Sequence, residues 1–398
     1  MNVKGYFKNI QDAMKNSFFR NSLLRSVTNY RALVKTTLKD KGLIELVKEA
    51  REIKEYSIEH MEELTKQLMD SFIDNGGDAY LAKDREQAIK IITEVIKPGD
   101  IVVKGKSMTC EELGLREFLS EYGVEIWETD LGELIIQLAN RLPMHPVEPA
   151  VGLSKEYIIQ LLRDKLKVEI SDKVEDAVKA VRNFLRNKYV SANVGISGAN
   201  VAAAEEGAIL TIENEGNIRL STGLPEKYIA IVGMEKIVPR LQDAFKVLEV
   251  IWRYAGYKIP TYINMISGPS KTGDIEKFIV KGAHGPREAY LIVIDNGRTR
   301  MKKEGFKEAL YCIRCGACIY ECPLFPLVGG YFGFKYVGGI GAIWATYTIN
   351  EIIGFSISLT CMRAGRCYEV CPMKINIPNL IVKLREKLLE KYKDKLLK

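Results

Sequence analysis

Hydrophobic and polar positions divide the chain into three textures. From about residue 8 to 74, Leu43, Leu46, Val47, Ala50 and Ile53 recur at three- and four-residue steps, and Met61, Leu64 and Leu68 continue the series. That period belongs to amphipathic helices, and the charged residues between read as their solvent face. A helical scaffold or docking segment is expected, with no chemistry of its own. Between about 80 and 300, short β-rich runs alternate with helical ones. Strands are expected at 101–104, 124–128, 189–194, 208–212, 228–232, 262–266 and 290–295, and helices at 111–122, 153–166, 174–187 and 237–254. This alternation predicts an α/β fold with a largely parallel sheet, whose ligand groups lie in loops beyond the carboxyl ends of its strands. The last texture holds most of the cysteines. It ends in a stripe of Leu380, Ile381, Leu384, Leu388 and Leu389 that predicts a basic amphipathic helix over 377–398. The expected units are a helical segment (1–78), an α/β domain (79–300) and a cysteine-rich domain with a C-terminal helix (301–398).

With 398 residues, 47% of them hydrophobic, the chain can pack several domains and is neither a disordered tail nor a disulfide-stapled miniprotein. The formal charge of +7 is spread among interspersed acids and bases, so no nucleic-acid partner is expected. Lysines and polar residues interrupt the N-terminus where a signal peptide needs an apolar core, and no run reaches the ~18 apolar residues of a spanning helix. A cytoplasmic protein without a transmembrane segment is expected. The most apolar stretch, 336–358, carries Gly338, Gly339, Gly341, Asn350, Glu351 and Gly354 and reads as a covering loop.

Of the eight cysteines, Cys110 stands apart and the other seven fall between 312 and 371. A packed, odd-numbered set argues for metal rather than disulfides. Cys312-x2-Cys315-x2-Cys318-x3-Cys322-Pro323 has the spacing of a ferredoxin half-motif. A structural zinc site, the plainer alternative, has no use for the third closely spaced cysteine. The second half, Cys361-x5-Cys367-x3-Cys371-Pro372, has Ala364 where a full motif has cysteine. By the crossover rule Cys371 joins Cys312, Cys315 and Cys318 on an ordinary [4Fe–4S] cluster. Cys322, Cys361 and Cys367 then leave the second cluster one thiolate short. A [3Fe–4S] cluster is the favoured outcome; a [4Fe–4S] cluster with a non-cysteine or partner-supplied ligand and a rearranged loop are the others. Two neighbouring clusters read as an electron relay.

In the α/β region, Gly195-Ile196-Ser197-Gly198 is expected to follow a strand and to offer N–H groups and Ser197 to an anion, a tight glycine turn being the alternative. Asn200, Glu205, Asn214, Glu215 and Asn217 cluster nearby, with Arg219 a candidate bidentate partner for a carboxylate. Lys104, Lys106 and Ser107 form a second candidate anion site, and Asp130 with Glu133 follows the next strand. His145, in the Pro-bounded Pro143-Met144-His145-Pro146, is a candidate acid or base near pH 7, or a hydrogen-bonded structural residue. Asn296-Gly297-Arg298 completes the loop set. Cys110 is expected to be a buried or neutral thiol. No GxGxxG fingerprint opens a strand-turn-helix unit, so neither nicotinamide nor flavin binding is indicated.

Several blocks carry a resemblance: VVKGKSMTCEELGL at 102–115, GISGANVAAAEEGAI at 195–209, NEGNIRLSTGLP at 214–225, ISGPSKTGDIE at 266–276, LIVIDNGRTR at 291–300 and EALYCIRCGACIYECP at 308–323. In this order they resemble the family of iron–sulfur subunits of L-lactate utilisation, a LUD domain followed by a ferredoxin-type module. The resemblance implies a NagB/RpiA/CoA-transferase-like α/β fold. It also implies a part in the flavin-independent oxidation of L-lactate to pyruvate, with other subunits of the system as partners and an unidentified electron acceptor. In CoA-transferase-like folds a glutamate in this region can be nucleophilic, which singles out Glu205. Three departures stand out. The usual Cys-Gly-Ala-Cys of the second set is Ala364-Gly365-Arg366-Cys367 with Cys361 upstream, residues 277–285 look inserted, and Glu206 stands where a threonine is usual. Three functions follow: a lactate-oxidising subunit, a relay or docking module without a substrate site, and an acyl- or CoA-transferase with accessory clusters.

Overall fold

The computed structural model describes residues 3–396. Four helices, Val3–Lys15, Ser17–Thr37, Lys41–Glu59 and Met61–Asp74, open the chain. Asn16 and Asp40 cap the second and third, their side chains accepting from the N–H groups of Phe19 and Gly42. The segment does not stand apart from the rest. Leu23 and Phe72 belong to one apolar core with Val232 of the sheet and with Trp344 and Leu384 of the C-terminal region.

The strands are β1 (Asp78–Ala82), β2 (Ile101–Lys104), β3 (Glu125–Glu128), β4 (Val194–Gly198), β5 (Val201–Ala203), β6 (Ala208–Glu213), β7 (Lys227–Gly233), β8 (Ile237–Val238), β9 (Tyr262–Ile266), β10 (Lys271–Thr272), β11 (Val280–Lys281) and β12 (Glu288–Ile294). Six form a wholly parallel sheet in the order β1-β12-β7-β4-β2-β3. Tyr228–Val232, apolar at every position, is buried throughout at the sheet centre, as strands covered on both faces are. A smaller mixed sheet, β8-β5-β6-β9, stands beside it.

Four expectations are corrected. Residues 189–191 are the last turn of the helix Val174–Ser191, because the buried series Ala177, Val181, Leu185, Tyr189 keeps its four-residue step to the end. The strand therefore starts at Val194, and Gly195-Ile196-Ser197-Gly198 is the strand itself rather than the loop after it. Gly114, at φ 60°, divides the expected helix at 111–122 into Met108–Glu112 and Leu115–Glu121. Most of 336–358 forms two helices, Gly338–Thr348 and the start of Glu351–Thr360, instead of a loop. Glycine serves there as packing surface: a Cβ on Gly354 would lie 1.9 Å from Thr346 Oγ1. Helices apolar all round are buried ones, and these pack on each other and on the final helix, Ile377–Leu396. Among the described residues no helix is long and apolar enough to cross a membrane. The stretch 277–285 contributes β11 to an antiparallel pair with β10 and leaves Phe278 and Ile279 exposed.

Candidate iron–sulfur sites and the adjoining cavity

The two cysteine loops follow the same backbone course. In the first, Arg314 (φ 61°) precedes Gly316 (φ 81°, ψ −10°) and the short helix Ala317–Tyr320. In the second, Arg363 (φ 56°) precedes Gly365 (φ 85°, ψ −23°) and the helix Arg366–Glu369. Cys361 thus corresponds to Cys312, Ala364 to Cys315, Cys367 to Cys318 and Cys371 to Cys322. The second loop keeps its course and lacks only a thiol, at a position exposed to solvent.

All eight cysteines are free. Cys315 has Cys371 and Cys312 as neighbours, and Cys318 has Cys312, Cys315, Cys371 and, last, Cys367. Cys322 neighbours Cys361, and Cys367 neighbours Cys361 and Cys322. Seven cysteines thus lie in one neighbourhood, with Cys318 next to members of both expected sets. Burial pushes the Cys322 and Cys371 thiols up to about 11 and Cys367 to about 12. Thiols so packed stay protonated unless bound iron takes up their charge. Among the described residues no three Cys, His, Asp or Glu side chains converge tightly enough to hold a single metal ion. Cys318, Cys322, Cys361 and Cys367 line a cavity of about 30 Å³ together with Ala364, an arrangement that suits a cluster in which each iron takes one thiolate.

A larger cavity, about 300 Å³, opens at the carboxyl ends of β2, β3, β4 and β7. Its walls include Lys106, Asp130, Gly198, Asn217 and Lys236, and on the far side Arg314 and Cys315 of the first cysteine loop. Parallel sheets place ligands at this edge. The strand end comes close because residue 198 is glycine; a Cβ there would lie 2.3 Å from Ser107 Oγ. The wall carboxylates are engaged by backbone: Asp130 accepts from Glu133 N–H at 2.9 Å, Glu213 from Ile218 and Arg219 N–H at 2.6 and 2.9 Å, and Glu215 from Leu131 N–H at 3.3 Å. Lys106 donates to Val147 O at 3.3 Å and Lys236 to Ala199 O. Asn217 reaches Thr129 Oγ1 at 3.4 Å.

Other expected residues lie elsewhere. Ser197 is buried against the Tyr228 hydroxyl at 2.7 Å and, by strand alternation, points away from the face that Gly198 lends to the cavity. Arg219 is exposed with its guanidinium 4.5 Å over the Tyr262 ring, so it is not the cavity's carboxylate partner. Glu205 is exposed on the turn between β5 and β6, outside the cavity wall. Lys104 is fully buried between Glu128 at 2.8 Å and Glu111 at 3.5 Å, an internal ion pair rather than an anion site. His145 is buried with its ring 3.9 Å from that of Tyr320, and its Nδ1 accepts from Val147 N–H at 3.0 Å. Burial and then Lys106 push its imidazole down to about 3, so it is neutral near pH 7 rather than poised as an acid or base. Cys110 is buried, its thiol pushed up to about 11.

Sequence reasoning missed a buried ion network. Arg298, with no exposed side chain, bonds Glu112 at 2.7 Å and also Glu235; Arg314 Nη2 donates to Glu235 Oε1 at 2.9 Å, and the Tyr336 hydroxyl to Glu112 at 2.5 Å. Burial would raise Glu235, yet Arg298 and Arg314 hold it down at about 2. The network fastens the ends of β7 and β12 to the first cysteine loop. Its partners are 63 and 186 residues from Arg298 along the chain, beyond any local pattern. Arg314 did have a signal, the arginine repeated two residues after Cys312 and Cys361.

Residues 65–294 match the family model described as LUD domain. The chain belongs to the LUD-domain family. Residues 308–375 match a 4Fe-4S dicluster domain, so this LUD-domain protein carries an iron–sulfur domain of that type. Lactate utilization protein B of Bacillus velezensis and that of Bacillus subtilis are each 38% identical over 299 residues, covering 74% of this chain and 61% of theirs. Lactate utilization protein B of Bacillus cytotoxicus is 34% identical over 345 residues, covering 85% and 71%. The chain thus aligns with about 61% of the length of the first two relatives. A DUF162 family protein from Deinococcus radiodurans of known crystal structure matches at 14% identity with a TM-score of 0.32, covering 59% of this chain and 98% of that one.

Proposed function

We propose that this LUD-domain protein is an electron-transfer subunit of lactate utilisation. It binds L-lactate or a similar 2-hydroxy acid in the 300 Å³ cavity and works with other subunits and an electron acceptor in the cytoplasm, where thiols stay reduced. The observation that carries this reading is the shared wall: the cavity at the strand ends is closed by Arg314 and Cys315 of the first cysteine loop. The names of its relatives supply the substrate class. Oxidation of a 2-hydroxy acid to the 2-oxo acid releases two electrons and two protons; clusters held by the cysteines would accept electrons one at a time, and the protons would pass to solvent.

In this reading Cys312, Cys315, Cys318 and Cys371 would hold a [4Fe–4S] cluster, and Cys322, Cys361 and Cys367, with Ala364 in place of a fourth thiolate, would hold a [3Fe–4S] cluster. The retained loop course and the exposure of Ala364 support a missing corner over a rearranged site. Acyl transfer through Glu205 is disfavoured by that residue's place outside the cavity.

The test is iron and sulfide analysis with EPR on anaerobically purified protein, before and after L-lactate. A [3Fe–4S] signal when oxidised and a [4Fe–4S] signal when reduced, with lactate alone reducing the clusters, is expected. Reduction only in the presence of partner subunits would make the chain a relay without its own substrate site. Protein devoid of iron would sink the reading.

A further inference from the structure

The buried ion network beneath the first cysteine loop holds more positive charge than it balances. Arg298 and Arg314 bind the carboxylates of Glu112 and Glu235. Lys54 and Lys236 belong to the same group, each with Glu235 and Arg314 as charged neighbours. Lys54 is buried and donates to the Glu235 carbonyl, and Lys236 donates to that of Ala199. Neither lysine forms an ion pair among the described residues. A carbonyl satisfies a donor but does not cancel its charge, so four cations face two carboxylates. Burial pushes both ammonium groups down to about 8, still on the charged side of neutral pH. A charge kept out of water calls for a counter-charge. The packing shows where one would stand: Lys54, Lys236 and Arg314 line a cavity of about 30 Å³ with Cys312, and Cys312 is a neighbour of both Lys54 and Arg314.

We propose that Lys54 and Lys236 are the counter-charges of the first cluster, raising its reduction potential and making the cysteine set beside the 300 Å³ cavity the place where electrons enter. This rests on the reading above that Cys312, Cys315, Cys318 and Cys371 hold a [4Fe–4S] cluster. With four thiolates such a cluster is a dianion when oxidised, matched by the two uncompensated cations, and it gains a further negative charge on reduction. A fixed positive charge favours the more negative state, and in a buried site salt screens the attraction little. At an effective dielectric constant of about 20, unit charges several ångströms apart interact strongly enough to shift a one-electron equilibrium by tenfold or more.

The experiment is an EPR-monitored redox titration of the anaerobic, cluster-loaded full chain, with iron analysis to verify loading. Wild type is compared with Lys54→Met, Lys236→Met, Lys236→Arg and Lys48→Met. Lys54→Met and Lys236→Met should each lower the reduced-to-oxidised ratio of the first cluster at fixed potential by about tenfold, which is ~59 mV for a one-electron couple. Lys236→Arg keeps the charge and Lys48→Met removes one from an exposed pair, so both should stay at the wild-type value. Glu112→Gln, which removes a negative charge from the same group, should move the potential up; a fall overturns the Coulombic account. Loaded Lys54→Met and Lys236→Met with unmoved first-cluster potentials overturn the proposal and leave the cluster reading intact. A shift of the second cluster as large as that of the first overturns the assignment to the first set. Wild type devoid of iron overturns both readings. Should the variants lose their clusters, wild type decides: buried charges predict a first-cluster potential that holds constant between about 0.1 and 1 M salt, and a fall with salt, the mark of exposed charges, overturns the assignment.

Discussion

Arg314 Nη2 meets Glu235 Oε1 at 2.9 Å, and through this contact the first cysteine loop is tied to the end of β7 in the sheet. Glu235 is shared with Arg298, which also holds Glu112, so two arginines and two carboxylates lie in one buried group. Packing joins the two modules over a wide area, but this group fixes the orientation of the loop that closes the cavity.

Glu235→Gln should leave Arg298 and Arg314 short of a negative partner in a dry site. Breaking a buried pair from one side costs about 3–5 kcal/mol. Denaturant unfolding of the cluster-loaded protein should show that loss, whereas Glu45→Gln, which touches only an exposed pair with Lys48, should change stability by less than about 1 kcal/mol.

Ala364→Cys should complete the second cysteine set, because Ala364 occupies in its loop the place of Cys315 in the other. Iron analysis should find one more iron per chain, and the oxidised [3Fe–4S] EPR signal should give way to a second [4Fe–4S] signal on reduction. An unchanged spectrum would show that the vacant corner does not lie at this position.

Cys371→Ser and Cys361→Ser should remove different signals despite their proximity in sequence. The neighbours of Cys371 include Cys312, and those of Cys367 include Cys361 and Cys322. EPR should therefore lose the first-cluster signal in Cys371→Ser and the second-cluster signal in Cys361→Ser; the reverse pattern would refute the crossover.

Glu133 links stability to pH. Burial raises its carboxyl from 4.5 to about 7, with Lys106 opposing the rise and Glu128 adding to it. A carboxyl raised on folding takes up a proton as the chain folds, so its contribution is full below about 4.5 and is lost as pH climbs through 7. Wild-type stability should fall between about pH 4.5 and 7, by up to ~1.4 kcal/mol per pH unit, and Glu133→Gln should flatten that slope in chemical denaturation.

The legible features were those written in local spacing. The cysteine ladder needs its ligands a few residues apart, so Cys312 to Cys322 could be read directly, and apolar runs such as Tyr228–Val232 declared a buried parallel strand. Family blocks pointed to the LUD domain and its α/β fold, which the family comparison shows. Local pattern misled where burial reverses the usual meaning of a residue. Gly354 and its neighbours looked like loop glycines and are contact points between packed helices. Tyr189 looked like the start of a strand and closes a helix.

What the sequence alone determined is the cysteine spacing with its gap at Ala364 and the order of the modules along the chain, because each depends on neighbours a few residues away. Tertiary structure decided which charges are available. Lys104, Arg219 and Glu205 read alike as cavity candidates until folding buried the first in an ion pair and turned the other two outward, while Arg314, a spacer in sequence, came to line the cavity and to hold Glu235. The reason is physical: the pairing and desolvation of a charge depend on groups brought from distant parts of the chain, and no local pattern records them.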